Sequence, residues 1–124
     1  MTNRHETVSE YWAACEARDW KRVGRLLADD VVYDLPQTRE RILGRDAFLR
    51  FNIEYPGDWH VTVERVVAEG AHAASWIRVG YEGKELPALS FFEFGDTGPV
   101  VRITEFWPEP YDPPTGREHL TERY

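Results

Sequence analysis

At 124 residues the chain has room for one domain with a substantial core and too little for two. A net charge of −7 and the lack of a basic stripe argue against a nucleic-acid surface, and no apolar run approaches the roughly 20 residues that span a bilayer. Hydrophobic residues at 42% and charged residues at 30% fit an ordinary soluble globular protein.

The opening "MTNRHETVSEYW" is polar and helical, without a signal-peptide core. The spacing of Val8, Tyr11, Trp12 and Cys15 predicts a first helix from Thr2 to Arg18, with Asn3 and Glu6 as a capping box. Cys15, the only cysteine, cannot form an internal disulfide, so a cytoplasmic location is expected. It sits on the apolar face of that helix, where a buried inert thiol outweighs a nucleophile. Asp19 caps a short second helix carrying Trp20, Val23, Leu26 and Leu27, ended by Ala28 to Asp30. Val31 to Pro36 reads as a strand stopped by its proline, and "QTRERILGR" as a polar connection. Phe48, Phe51, Asn52 and Tyr55 give a third helix closed by Pro56-Gly57.

The remainder reads as strands: His60 to Gly70, Ala73 to Gly83, Leu86 to Phe94 and Val100 to Trp107. Short glycine-containing turns make these a consecutive antiparallel meander. The proline-rich stretch that follows is expected to be extended, so residues 1–108 form the domain and 109–124 a C-terminal extension. Helices first, then strands, predict an α+β fold: a curved antiparallel sheet forming a cone-shaped half-barrel, covered by three helices, with a pocket inside the cone.

In the last strand, "VVRITEFW", alternation puts Val101, Ile103, Glu105 and Trp107 on one face. That face is apolar except for one carboxylate. Glu105 is either an acid placed in a cavity or an ordinary surface acid, solvated or paired with an arginine such as Arg78 or Arg65. His5, His60, His72 and His119 are spread along the chain without metal-ligand spacing, and no glycine-rich phosphate loop occurs. No metal or cofactor is therefore expected.

The stretches "YWAACEARDWKRVGRLLADDVVYDLP" and "ILGRDAFLRF", with the ending "VVRITEFW", resemble the SnoaL-like branch of the nuclear transport factor 2-like superfamily. That group includes ketosteroid isomerases, polyketide cyclases, limonene epoxide hydrolases and scytalone dehydratases. The resemblance implies a cofactor-independent enzyme acting by acid/base chemistry on an apolar or aromatic small molecule in the cone, and a homodimer through the outer sheet face. A ligand-binding or sensing domain without chemistry and a dimeric interaction module are the alternatives. Tyr11 matches the catalytic tyrosine of the ketosteroid isomerases, and Ser90 corresponds to their second oxyanion donor. Their general base, placed directly before the proline that ends the first strand, is replaced here by Leu35. Asp34 lies one residue earlier and points the other way. Glu105 is then the relocated acid/base, with Tyr11 and Ser90 as its catalytic partners. The same alignment makes Trp12, Tyr33, Leu35, Phe51 and Tyr55 ligand-binding residues on the helices and first strand. From the meander it adds Ser75, Ile77, Val79, Phe92, Ile103 and Trp107. Trp76, Arg78 and Phe91 fall on the outer face.

Overall fold

The computed structural model describes residues 3–124. Helix α1 (Arg4–Glu16) starts at Asn3, whose side chain accepts a hydrogen bond from the Glu6 backbone N–H at 2.8 Å and donates to the Glu6 carboxylate at 3.3 Å. The capping box thus sets the start of the helix, and the expected start at Thr2 lies outside the described residues. Arg18, in the left-handed region at φ 59°, ends the first turn, and Asp19 caps α2 (Trp20–Arg25). Strand β1 (Leu27–Leu35) begins four residues earlier than expected, running straight through Ala28 to Asp30. Part of the predicted polar connection is a strand, β2 (Glu40–Leu43), which folds back on β1 with Leu35 opposite Glu40. Only Ile42 in it is partly buried, so no alternating pattern marked it. Helix α3 (Arg45–Ile53) follows Gly44, whose φ of 92° suits glycine. The meander is β3 (His60–Glu69), β4 (His72–Tyr81), β5 (Lys84–Phe94) and β6 (Val100–Phe106).

The six strands form one sheet in the order β2-β1-β6-β5-β4-β3. Neighbours are antiparallel except β1 and β6, which pair in parallel and make the sheet mixed. The register slips between Leu27 and Val32, between Val63 and Arg65, and between Glu93 and Phe94. Each irregularity bends its strand and adds local twist, giving an unclosed, curved sheet with the helices in its concavity. The slip at the start of β6, between Val100 and Arg102, also alters one expected face: Val100, not Val101, takes the buried position, its N–H bonded to the Leu26 carbonyl at 2.9 Å.

The core fills the concave side. Phe48 of α3, 1% exposed, stands edge-on to Tyr33 with centroids 5.0 Å apart, and Tyr11 of α1 stands edge-on to Phe92 at 5.4 Å. Helices and sheet are thus joined through aromatic rings, of which Tyr11 and Tyr33 also line the cavity. Residues 108–124 run extended and exposed, apart from a single 3₁₀ turn at Glu118–Leu120. Replacing Phe48 with alanine should cost about 3–5 kcal/mol, read as a lower urea midpoint with an unchanged slope.

Candidate functional site

Between the helices and the concave face lies a cavity of about 440 Å³. Its buried end is formed by Tyr11, Trp12, Tyr33, Ile77, Val79 and Glu105. Its exposed mouth is formed by Gln37, Thr38, Glu40, Tyr55 and Glu109. Leu35, Phe51, Trp59 and Trp107 make up the wall between them.

Glu105 sits in this wall and is 4% exposed. Strand pairing explains its surroundings. Ser90 is its direct partner on β5, and Tyr33 on β1 is in register with Ile103, one inward step away on β6. The Tyr33 hydroxyl donates to Oε1 at 2.6 Å, and the Trp107 indole Nε1–H donates to the same oxygen at 3.0 Å. The Ser90 hydroxyl donates to Oε2 at 2.6 Å. All three donors are neutral, so no arginine meets the carboxylate. Arg78 instead pairs with Glu64 at 3.1 Å and Glu85 at 3.5 Å on the outside. Burial pushes the Glu105 carboxyl above its ordinary range, while the bonds from Ser90, Tyr33 and Trp107 pull it part of the way back. Burial, and then the neighbouring Glu105, raise the Tyr33 phenol.

The other predicted residues divide into wall and backing. Tyr11 lines the cavity, and burial raises its phenol well above the usual value. Trp12, Tyr33, Leu35, Phe51, Tyr55, Ile77, Val79 and Trp107 also line it. Ser75, Phe92 and Ile103, expected as ligand-binding residues, and Ser90, expected as a catalytic one, are buried and lie outside the cavity lining. The Ser75 hydroxyl is occupied by the Trp12 indole N–H at 2.9 Å, and Phe92 is covered by Tyr11. Ser90 is wholly buried, and its hydroxyl is bonded to Glu105 instead of facing a substrate. Asp34 points outward as expected, paired with Arg41 at 2.5 Å and with Arg102, and Arg41 first of all holds its carboxyl below the usual range.

Sequence reasoning missed that Tyr33 and Trp107 are donors to the acid and not simply walls. Their parity relative to Glu105 was visible, but the parallel β1–β6 pairing that brings Tyr33 alongside was not. It also missed the contribution of Cys15, Val61 and Tyr81 to the cavity. Cys15 is buried, and desolvation lifts its thiol to about 12, so it stays protonated. Among the described residues no group of three or more His, Cys, Asp or Glu side chains could hold a metal ion. No helix there is long and apolar enough to cross a membrane.

The raised carboxyl of Glu105 has a consequence for stability. In the unfolded chain a glutamate titrates near ~4.3; in the folded chain protonation persists to higher pH. The folded state therefore binds more protons, and its stability from this group is full below the unfolded value and declines as pH rises through the folded one. In Glu105→Gln the amide can keep the Tyr33 and Trp107 bonds on its oxygen and donate to Ser90. The variant should gain melting temperature relative to the parent between pH 5 and pH 8, with the two curves converging at pH 4. A difference that is constant with pH would contradict the assignment.

A SnoaL-like domain model matches residues 8–105. No curated protein matches the chain. Solved structures of similar shape include a candidate ketosteroid isomerase from Kribbella flavida DSM 17836, 48% identical, with a TM-score of 0.94 over 97% of this chain and 88% of that one. An NTF2-like protein of unknown function from Burkholderia xenovorans LB400 is 28% identical, with a TM-score of 0.84 over 96% and 93%. A candidate polyketide cyclase from Pseudomonas putida KT2440 is 27% identical, with a TM-score of 0.71 over 87% and 93%. With the cone-shaped sheet, the helices packed in its concavity and a match spanning most of its length, the chain belongs to the SnoaL-like domain family.

Proposed function

We propose that the chain is a cofactor-independent small-molecule enzyme that transfers protons at Glu105. The observation that carries this reading is a buried carboxyl in the wall of a largely apolar cavity, held by three neutral donors and no cation. A buried salt bridge would have locked the group as a carboxylate, whereas neutral donors let it cycle between acid and base. Oε1 has both acceptor positions filled by Tyr33 and Trp107, while Oε2 receives only Ser90. Oε2 is therefore the oxygen that takes and returns the proton. Tyr11, also in the wall, is the group suited to donate to a substrate oxygen. The chemistry this supports is removal of a proton beside a carbonyl, or protonation of a departing hydroxyl or an opening epoxide. Leu35 in place of the ketosteroid isomerase base speaks against steroid isomerisation itself.

Solvent-deuterium exchange into a panel of small cyclic ketones, followed by NMR, tests the proposal. Glu105→Gln should slow exchange by about 10²-fold or more while preserving ligand affinity. Equal rates in parent and variant would remove Glu105 from catalysis. Ligands bound by both proteins and exchanged by neither would favour a second reading, a binding domain without chemistry. That reading is supported by Leu35 and by the internal bonds that occupy much of Glu105.

Assembly as a homodimer through the outer sheet face belongs to the same proposal. Trp76, Leu89 and Phe91 are 47%, 39% and 49% exposed, and Trp76 is paired with Leu89 across β4 and β5. Together they make a contiguous apolar patch of the kind that marks an interface. Light scattering at low micromolar concentration should give twice the chain mass, and Phe91→Glu should give one chain mass with an unchanged circular dichroism spectrum. A parent protein of one chain mass would sink the dimer.

A further inference from the structure

We infer that the cavity takes an amine-bearing molecule, with the apolar body inside and the protonated amine at the mouth beside Glu40 and Glu109. This rests on reading the cavity as a small-molecule site and adds the charge of its ligand.

The cavity lining contains three carboxyl side chains, Glu40, Glu105 and Glu109, and no lysine, arginine or histidine. The two outer acids are exposed and form no ion pair among the described residues; Glu40 accepts only from the Thr38 hydroxyl, at 2.6 Å. Their placement at one opening is built into the fold. The Gln37 side chain accepts from the backbone N–H of Trp107, tying the β1–β2 turn that carries Glu40 to the stretch that leads to Glu109.

Arg18 and Arg41 are engaged with other groups, and Arg39, beside Glu40 in sequence, is exposed and outside the cavity lining. Arg18 stacks on the Trp59 ring at 3.4 Å and donates to the carbonyls of Cys15, Glu16 and Trp59. Arg41 is turned to the other face of β2, against Asp34. An incoming carboxylate or phosphate would thus shed water and meet acids but no cation in the lining. A cation meets the opposite: two acids at the opening and the aromatic side chains of Tyr55, Tyr81 and Trp107 in the lining.

Three probes of one shape separate the possibilities: 4-phenylbutylamine, 4-phenylbutanol and 4-phenylbutyrate, titrated at pH 7 against the fluorescence of the cavity tryptophans. The amine should bind about five-fold more tightly than the alcohol and at least about ten-fold more tightly than the acid, the preference shrinking in high salt. Glu40→Gln combined with Glu109→Gln should bring amine and acid within about three-fold of each other and leave the alcohol unchanged. Butyrate binding as tightly as the amine, or an amine weaker than the alcohol, would overturn the inference while leaving the cavity reading intact. Failure of all three to bind would overturn the cavity reading and the inference with it.

Discussion

The structure turns on one buried carboxyl group. Glu105 is a group that burial penalises, placed at the back of an apolar cavity, and the fold tolerates it through three hydrogen bonds from three different places in the chain. Tyr33 arrives from β1, Ser90 from β5, and Trp107 from just beyond the end of β6 itself. Two of the donors are themselves fixed by packing: Tyr33 lies against Phe48 of α3, and Ser90 has no exposure. Among the described residues no buried side-chain polar atom lacks a partner, so the polar cluster is satisfied from within. The sheet order, the bulges and the third helix can all be read as conditions for that arrangement.

What such a group does depends on the balance among its surroundings. A nearby arginine would have held Glu105 ionised and inert at every working pH; water would have made it an ordinary acid. Instead, desolvation favours the protonated form, and the donors favour the carboxylate. The same neighbours make Tyr33 harder to ionise, so the phenol keeps its proton and the group in the cluster that titrates is the glutamate. The outward-facing Asp34, one residue from Tyr33, shows the contrast: paired with two arginines, it is a surface anion.

Much of this was legible in the sequence because period and parity are strong signals. The capping box at Asn3 and the alternation in β4 to β6 follow from residue spacing, and the family resemblance then turned the face of Glu105 inward. What was not legible depended on partners distant in sequence. Whether Ser90 faced a ligand or the acid was decided by its cross-strand partner, and Ser75 was withdrawn by Trp12, 63 residues away. The short β2 escaped because a four-residue edge strand with one half-buried side chain has no periodicity to read. The early start of β1 escaped because Asp29 and Asp30 are poor strand formers that lie in the register slip between the pairs Leu27–Val100 and Val32–Arg102.

The parallel pairing of β1 with β6 has a further consequence, for how the protein comes into being. Tyr33 and Glu105 are 72 residues apart, so the polar cluster exists only when the first strand of the sheet has met the last. During synthesis, everything through β5 can be made before the acid and the Trp107 indole leave the ribosome. Closing so long a loop is slow in comparison with forming the local hairpins. The cavity's polar cluster thus depends on a contact of high sequence separation, and the residue that gives it chemical character is supplied by the last strand of the sheet.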